Sequence, residues 1–426
     1  MNKNKKIIIV GAGIAGLAAC NELTKCGFET MLLEARDRIG GRISTDYTLG
    51  IPIGRGAAWI HGVDGNPITE LANKFNVKMA ASDLDKFRRY DGKGNIISIE
   101  DVGHFNDRFE TLLKKAKEFS YQSRQDISLA AALSPFINLS KLSPVEKALL
   151  EMKLAYFEGY TGANYESLSA RHWDAEEIWP GHTCFLINSY QPILEGLQKN
   201  CRIHLNTVVK EINLHRNHVE VKTENTSFNA DAVLITVPLG VLKKNSIQFT
   251  PPLSGKKQEA IHRVGMGIFN ITAIKFPRVF WPKEPHAFFF AQLDALSIPV
   301  FFNLYHFHKQ PILLGYSGGE RAKRLEKLSD IELVEKTMQN FKQFYGMKLP
   351  EPESYFNTRW SSDPFSYGSY SYLPVGASSS DYDLIAAPIN NQLFFAGEAT
   401  HSRYPATTHG AWLSGMREAA RLRGQV

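Results

Sequence analysis

The fold is decided by the stretch Ile7-Ile8-Ile9-Val10-Gly11-Ala12-Gly13-Ile14-Ala15-Gly16. Its first four residues are β-branched and uninterrupted, which is typical of a strand buried on both faces in a parallel sheet. The glycines that follow are spaced G-x-G-x-x-G. In this pattern Gly11 allows a tight turn, Gly13 lets the backbone approach a pyrophosphate, and Gly16 lets the next helix pack closely on the strand. The N-terminus of that helix offers free N–H groups to the phosphates.

A second apolar strand follows the helix and ends at Glu34, eighteen residues after Gly16. A carboxylate at this point suits the hydroxyls of an adenosine ribose and repels a 2′-phosphate. Strand, turn, helix, strand and acid therefore occur in the order that dinucleotide binding requires. Two alternatives are a glycine turn without a ligand and a signal peptide, because Lys3, Lys5 and Lys6 precede the apolar run. The spaced glycines and the second strand disfavour both.

A second glycine turn comes next, with the sequence Ala35-Arg36-Asp37-Arg38-Ile39-Gly40-Gly41-Arg42. A nicotinamide enzyme does not need it. A flavin dinucleotide bound in extended form does, because its pyrophosphate and ribityl chain continue past the first turn. The motif E-A-R-D-R-x-G-G-R after a Rossmann unit resembles the flavin-containing amine oxidases. That family includes monoamine oxidases, polyamine oxidases, L-amino acid oxidases and lysine-specific histone demethylases.

Composition sets further bounds. The chain has 426 residues, of which 43% are hydrophobic and 22% charged, and a formal net charge of +6. It is long enough for two or three domains, and its charge is too small to predict a nucleic-acid partner. The four cysteines, at positions 20, 26, 184 and 201, have no metal-binding spacing. Few cysteines and no signal peptide predict a cytoplasmic protein, and no apolar run approaches the roughly eighteen residues of a membrane span. The oligomeric state is left open.

The resemblance covers nearly the whole chain and implies an α/β fold, α+β overall. A Rossmann-type FAD-binding domain is expected to interleave with a substrate-binding domain of mixed sheet and helices. The FAD-binding domain is expected to comprise residues 1–75, 195–245 and 386–426, and the substrate-binding domain residues 76–194 and 246–385. FAD is expected to be bound noncovalently, since no cysteine lies in the closing segment, where monoamine oxidases attach theirs.

By the same resemblance, residues far apart in the chain would hold FAD. Small residues after the second turn allow close backbone approach, Val209 would hold the adenine through its backbone, and Trp360 would border the flavin ring. A helix from about Thr407 to Arg421 would direct its N-terminus at the flavin pyrimidine. The expected FAD-binding residues are Gly11, Ala12, Gly13, Ile14, Ala15, Gly16, Glu34, Ala35, Arg36, Gly41, Arg42, Gly56, Ala57, Ala58, Trp59, Val209, Trp360, Gly397, Glu398, Thr407 and Thr408.

Four residues are expected to contact the substrate. The sequence Trp59-Ile60-His61-Gly62 resembles the W-I-H-G of polyamine oxidases, in which the histidine faces the substrate. Glu158 stands at a position that is acidic in several polyamine oxidases and would attract an ammonium group. Tyr370 matches one wall of the family's amine cage, and Thr407 stands where most oxidases have the second cage tyrosine and demethylases have threonine. The structural alternatives are a satisfied core histidine, a salt-bridged glutamate and an aromatic core hairpin.

One position departs from the family. Relatives usually have a lysine directly after the position of Asn270, bridged by water to flavin N5, whereas this chain has Ile271. Lys275 lies about 13 Å further along a strand, at roughly 3.3 Å per residue, and is not expected to replace the missing ammonium. Because that charge is thought to serve oxygen reduction rather than hydride transfer, slow reaction with oxygen is expected.

The resemblance implies FAD-dependent oxidation of a small-molecule amine. Hydride transfer to flavin N5 would give an imine and then an aldehyde, with hydrogen peroxide or another reduced acceptor. A polyamine is the favoured substrate, since the chain has no room for the coiled-coil insert of the demethylases. The alternatives are an FAD-binding protein with little turnover and an L-amino acid oxidase, which would need an arginine such as Arg55 to pair with a carboxylate.

Overall fold

The computed structural model describes residues 5–83, 86–291 and 293–424. Its helices are α1 (Ile14–Lys25), α2 (Pro67–Lys74), α3 (Ile99–Gln122), α4 (Leu129–Leu133), α5 (Pro144–Thr161), α6 (Gln191–Gln198), α7 (Leu239–Lys243), α8 (Gly255–Arg263), α9 (Leu304–His308), α10 (Gly319–Leu325), α11 (Asp330–Tyr345), α12 (Ser379–Ala386) and α13 (Thr408–Leu422). Its strands are β1 (Lys6–Val10), β2 (Glu29–Leu33), β3 (Thr45–Asp46), β4 (Ile53–Gly54), β5 (Trp59–Ile60), β6 (Met79–Ala81), β7 (Phe87–Tyr90), β8 (Cys184–Leu186), β9 (Ile203–His204), β10 (Val209–Leu214), β11 (Val219–Thr223), β12 (Ser227–Ala230), β13 (Ala232–Ile235), β14 (Gln248–Thr250), β15 (Gly265–Met266), β16 (Phe269–Lys275), β17 (Ala287–Phe290), β18 (Val300–Asn303), β19 (Ile312–Gly318), β20 (Ser354–Asn357), β21 (Ser371–Tyr372) and β22 (Leu393–Phe395).

The first strand forms the centre of a five-stranded parallel sheet in the order β22-β13-β1-β2-β9. Ile7 pairs with Thr30 on β2 and with Ala232 on β13. Ile7 and Ile9 pack into one hydrophobic cluster and Ile8 into another, and all three are fully buried. Burial on both faces of the sheet explains why the run is apolar without interruption.

Helices α1 and α13, near the two ends of the described chain, pack against each other beside this sheet. They approach closely at Gly415, where a Cβ atom would lie 2.2 Å from the carbonyl oxygen of Ala15. A Cβ atom at Gly16 would lie 2.1 Å from the carbonyl oxygen of Gly11. Both contacts are with backbone, which cannot move aside as a flexible side chain can. Glycine at these positions therefore sets how near the helices lie to each other and to the turn.

The sequence Ile203-His204-Leu205-Asn206-Thr207-Val208-Val209 predicts a single strand, but the structure divides this segment between two strands. Strand β9 ends at His204, and β10 begins at Val209 in a separate four-stranded sheet of order β12-β11-β10-β14. Between them Asn206 takes a φ of +51°. Asparagine tolerates this left-handed conformation, which redirects the chain from one sheet to the other.

A second large sheet has the order β20-β16-β19-β18-β17-β7. Strand β7, from residues 76–194, pairs with β17, from residues 246–385, so the two parts share one sheet. Phe276, Phe288 and Phe301 fill its core and are almost fully buried. The exact domain boundaries remain predictions.

Charged residues at helical spacing over residues 101–157, with breaks at Ser134-Pro135 and Ser143-Pro144, predict helices, and α3, α4 and α5 confirm them. The sequence after Asn66-Pro67 predicts a helix over residues 67–79. The observed helix is shorter, because α2 ends at Lys74 and Asn76 takes a φ of +56°. The chain then continues as β6. None of the helices in the described ranges is long and apolar enough to cross a membrane.

Candidate active site

A cavity of about 1200 Å³ opens at the carboxyl ends of the five-stranded sheet and reaches the six-stranded sheet. Its volume exceeds the roughly 300–1,000 Å³ of an ordinary ligand pocket, which leaves room for a dinucleotide and a second molecule. Of the predicted site residues, Ala12 and Gly16, both in the first glycine motif, do not line the cavity. The others line the cavity: Gly11, Gly13, Ile14, Ala15, Glu34, Ala35, Arg36, Gly41, Arg42, Gly56, Ala57, Ala58, Trp59, His61, Glu158, Val209, Trp360, Tyr370, Gly397, Glu398, Thr407 and Thr408.

The first glycine turn presents backbone N–H groups to the cavity. Gly11 has a φ of +106°, and a Cβ atom there would lie 2.7 Å from Oγ1 of Thr236. Gly13 caps α1 without a side-chain hydrogen bond to the first turn. The N–H groups of Ile14 and Ala15 therefore remain available beside the cavity. Together with the dipole of α1, they fit the pyrophosphate of a dinucleotide.

Glu34 holds the turn from the end of β2. Its Oε2 accepts a hydrogen bond from the Ala12 amide at 2.7 Å, and its Oε1 accepts one from the Arg36 amide at 3.0 Å. The residue is almost fully buried but lines the cavity. A carboxylate has about four acceptor positions, so acceptors remain for two ribose hydroxyl groups.

Two of the three arginines of the second glycine turn, Arg36 and Arg42, form ion pairs within the protein. Arg36 forms two hydrogen bonds to the carboxylate of Asp363, at 3.0 and 2.7 Å. Arg42 donates to Glu398 at 2.7 Å and to the carbonyl oxygen of Ser369 at 2.8 Å. Both line the cavity, but their charges are compensated within the protein. These pairs tie the N-terminal turn to distant segments of the site.

The middle of the cavity is narrow because small residues face a tryptophan. A Cβ atom at Gly56 would lie 3.2 Å from the ring of Trp360 and 2.1 Å from the carbonyl oxygen of Arg42. The indole of Trp360 donates to the carbonyl oxygen of Arg55 at 3.0 Å. The guanidinium of Arg55 pairs with Asp46 at 3.1 Å and lies over the Phe356 ring, outside the cavity lining. The arginine that an L-amino acid oxidase would need is thus bound elsewhere.

His61 faces the cavity from a turn held by Asn66. The Asn66 amide donates to the carbonyl oxygens of His61 and Gly62 at 3.3 and 3.0 Å. His61 is an exposed side chain that lines the cavity, and desolvation by the surrounding protein lowers its pKa. His409, on the first turn of α13, lies beside Asn66, and burial lowers its pKa to about 3. Both imidazoles are therefore neutral at pH 7.

Glu158 lines the cavity but carries a compensated charge. Its carboxylate lies 3.3 Å from Nε of Arg321 and accepts a hydrogen bond from the Asn164 amide at 2.8 Å. Burial raises the pKa of Glu158, while Arg321 opposes that shift. The salt-bridged alternative considered for this residue is present, and the residue keeps access to the cavity.

The aromatic end of the cavity surrounds Tyr370. Its hydroxyl donates to the carbonyl oxygen of Gly159, and its ring centroid lies 6.1 Å from that of Phe269. Burial raises the pKa of Tyr370, so the phenol is neutral. Tyr160 follows Gly159 on α5 and donates from its hydroxyl to Glu176 at 2.8 Å. Burial raises the pKa of Glu176 to about 7.

The closing segment brings the N-terminus of α13 to the cavity. Thr407 caps this helix by accepting a hydrogen bond from the Gly410 amide at 2.9 Å. Its hydroxyl also donates to the carbonyl oxygen of Tyr404 at 2.9 Å. The Thr408 hydroxyl lies 3.0 Å from that of Tyr190, which donates to the carbonyl oxygen of Trp59. The positive end of a fifteen-residue helix therefore faces the cavity opposite Trp59.

Ile271 lines the cavity with a buried, apolar side chain. It lies in the middle of β16 and is 1% exposed, and its amide donates a hydrogen bond to Oγ1 of Thr358 at 2.8 Å. Lys275 is not among the cavity-lining residues, and its Nζ lies near Gly50. The cavity therefore has no lysine at this point.

A sequence model of the family described as flavin containing amine oxidoreductase matches residues 14–423. The chain belongs to the flavin-containing amine oxidoreductases. It is 35% identical to polyamine oxidase 2 of Arabidopsis thaliana over 439 residues, which cover all of this chain and 89% of the relative. It is 36% identical to lysine-specific histone demethylase 1 homolog 2 of Arabidopsis thaliana, covering 98% of this chain but 58% of the relative. A solved putrescine oxidase double mutant, redesigned in its cofactor binding, shares the fold with a TM-score of 0.80, 19% identity and 99% coverage of both chains.

This membership confirms the predicted α/β fold, the FAD cofactor and the assignment as an amine oxidoreductase. It does not identify the amine or the residues that bind it. The structure adds cavity residues of this oxidoreductase that the sequence did not single out: Tyr156, Tyr160, Glu176, Thr236 and Tyr316. Two of them could have been recognised from the sequence, because Tyr156 and Tyr160 are four residues apart and therefore lie on the same face of a helix. Within the described residues, no cluster of three or more His, Cys, Asp or Glu side chains is arranged to hold a metal ion.

Proposed function

We propose that this oxidoreductase oxidises a polyamine, with FAD bound noncovalently. One observation carries the proposal. Among the described residues, the cavity-lining arginines and lysines are Arg36, Arg42 and Lys210, which belong to the glycine turns and the strand of Val209. The remainder of the cavity presents carboxylates and aromatic rings, including Glu158, Glu176 and Tyr370. Such a surface favours a cationic ligand over a carboxylate-bearing amino acid.

We propose that the predicted cofactor residues bind the adenosine half of FAD at one end of the site and the flavin at the other. The amides of Ile14 and Ala15 would hold the pyrophosphate, Glu34 the adenosine ribose, and the N-terminus of α13 the flavin pyrimidine. None of the four cysteines lines the cavity, which supports noncovalent binding. All four are free thiols, which supports the proposed location in the reducing cytoplasm.

When bound, FAD accepts a hydride from the carbon beside the amine nitrogen. The nitrogen must be neutral, since a protonated amine has no lone pair to assist the transfer. The buried, aromatic surroundings of Tyr370 and Trp360 disfavour the charged form of that nitrogen and hold its carbon at the middle of the cavity. His61, neutral at pH 7 because its pKa is lowered, can accept a hydrogen bond from the amine without repelling it.

The test is anaerobic bleaching of the flavin absorbance by a panel of amines. The panel contains spermine, spermidine, their acetylated forms, monoamines and a methyl-lysine peptide. The expected result is rapid bleaching by one or more polyamines. Bleaching by methyl-lysine alone would favour demethylation, a second candidate supported by Thr407 and by the similarity to the demethylases. Absence of bleaching by every amine would favour an FAD-binding protein without turnover.

A further inference from the structure

Glu176 is an acid of the cavity whose charge is not compensated. Its only hydrogen bond within the described residues comes from the hydroxyl of Tyr160, at 2.8 Å, and it forms no ion pair there. Glu158 and Glu398 differ, because they pair with Arg321 and Arg42, and Glu34 differs because it accepts hydrogen bonds from two backbone amides. The next residue in the chain, Glu177, points outwards to Arg403.

Two tyrosines extend this site along one face of α5. Tyr156 and Tyr160 stack with ring centroids 6.0 Å apart and an interplanar angle of 8°. Tyr160 lines the cavity with Tyr156, which is half exposed. The hydroxyl of Tyr370 binds the carbonyl oxygen of Gly159, next to Tyr160 in the chain. The acid and the stacked rings therefore adjoin the aromatic end where the reacting nitrogen is proposed to lie.

A partly buried carboxylate without a cation is unfavourable, because its desolvation is not offset by an ion pair. Here desolvation raises the pKa of Glu176 to about 7, despite the hydrogen bond from Tyr160. A ligand ammonium would restore the missing partner through a charge-assisted hydrogen bond. The faces of two neutral tyrosine rings would stabilise the adjoining methylene and ammonium groups. These are the features of a site for an alkylammonium ion.

We propose that Glu176, Tyr160 and Tyr156 form a subsite for a second ammonium group of the substrate, one that does not react. This subsite makes the enzyme select diamines and polyamines over monoamines. It rests on the proposed function, because it assumes that an amine is oxidised near Tyr370. It assigns to Glu176 the role of ammonium anchor that the sequence suggested for Glu158.

The experiment compares wild-type holoenzyme with Glu176→Gln, Glu158→Gln and Glu177→Gln. Anaerobic stopped-flow bleaching with spermine and with propylamine gives an apparent Kd and a limiting rate for each. For Glu176→Gln we expect the apparent Kd for spermine to rise by at least about tenfold, as for loss of a hydrogen bond to a charged group. The limiting rate should change by less than about threefold, and the apparent Kd of propylamine should not rise in proportion. Glu177→Gln, which removes an exposed charge from the adjacent residue of the same loop, is the matched control.

Flavin content and melting temperature establish that each variant is folded. If Glu176→Gln does not load FAD, Glu176→Asp replaces it, and a smaller rise in the spermine Kd is then expected because the charge is kept. A spermine Kd unchanged in these Glu176 variants, or raised only in Glu158→Gln, would overturn the subsite while leaving the proposed function in place. Failure of spermine and every other polyamine to bleach the wild-type flavin would overturn both.

Discussion

Individual side chains give the two ends of the cavity opposite electrostatic character. Cationic lining residues of the described chain belong to the glycine turns and to β10, whereas the aromatic end contains acids and neutral imidazoles. Ile271 continues this pattern, because it places an apolar side chain where relatives are expected to have a lysine. Hydride transfer from an amine does not require a positive charge at the position of Ile271. The reduction of oxygen develops negative charge, and without the lysine no nearby cation at this position stabilises that charge.

The first residue-scale prediction concerns reoxidation. Flavin reduced anaerobically in the wild-type protein should react slowly with air, and Ile271→Lys should accelerate this step by about tenfold or more, since one fixed charge near developing charge is worth a few kcal/mol. Stopped-flow mixing with aerated buffer measures the rate. Ile271→Met, similar in length but uncharged, is the control. Fast wild-type reoxidation that the lysine leaves unchanged would contradict the prediction.

The second residue-scale prediction concerns the pH dependence of spermine binding. Burial raises the pKa of Glu176 to about 7, so the acid is largely neutral below that pH and charged above it. Burial also raises the pKa of Tyr160, Tyr156 and Tyr370, so these neighbouring phenols stay neutral across the range. Spermine affinity should therefore increase as pH rises from about 6 to 8. In anaerobic titrations at several pH values, the apparent Kd should fall more steeply between about pH 6 and 8 for the wild type than for Glu176→Gln, which keeps the titration of the substrate amine but lacks that of the acid. A wild-type Kd independent of pH over this interval would count against it.

At the scale of elements, the closeness of α1 and α13 determines how the two ends of the site meet. The carbonyl of Ala15, in the first turn of α1, lies against Gly415, two turns into α13. Both helix N-termini face the same cavity. Any substitution that separates the helices should therefore disturb the site without touching a residue that lines it.

Gly415→Ala tests this coupling. Its Cβ atom would lie 2.2 Å from a backbone oxygen, so the helices must shift, and we expect a loss of about 1–3 kcal/mol in the free energy of unfolding together with faster release of FAD. Thermal unfolding and retention of FAD on gel filtration are the measurements. Gly103→Ala is the matched control, because its Cβ atom meets no atom within 4 Å on α3 and should stabilise slightly. Equal melting temperatures for the two variants would refute the argument.

What the sequence could predict also depends on the element. The unit from β1 to Glu34 was predictable because its motif is local and each residue in it has one backbone task. The position of Asn206 was missed, since the apolar residues around it read as one strand and only the left-handed turn divides them. Glu176 was not predicted, because it stands out only by having no cationic partner in the folded protein, which the sequence alone does not reveal. The pairing of Glu158 with Arg321, 163 residues away, leaves no trace in local sequence.

At the scale of the whole molecule, hydrogen-bonded ion pairs hold the N-terminal turn to the far part of the chain. Arg36 and Asp363 are separated by 327 residues. Asp363 also accepts a hydrogen bond from the Phe365 amide at 2.9 Å, so it orders its own loop as well. These contacts hold the loop that contains Trp360 and Phe365 against the second glycine turn.

Asp363→Ala should therefore weaken the holoenzyme more than an ordinary surface change. We expect a loss of about 1–3 kcal/mol, because a partly buried guanidinium is left without its partner, and the apparent Kd for FAD should rise. Titration of apoprotein with FAD and thermal unfolding measure both effects. Glu177→Ala removes an exposed pair of similar geometry with Arg403 and should cost no more than about 1 kcal/mol. Indistinguishable FAD affinities in the two variants would be inconsistent with this expectation.

The five-stranded sheet joins β1 to β13 and then to β22, and α13 packs against α1. During translation, the glycine turn, α1 and β2 leave the ribosome early, whereas β13, β22 and α13 are made much later. The first strand can therefore pair with β2 at once but lacks its other neighbour, β13, until residues 232–235 have emerged. The cavity stays incomplete until α13, whose N-terminus lines it, has been made.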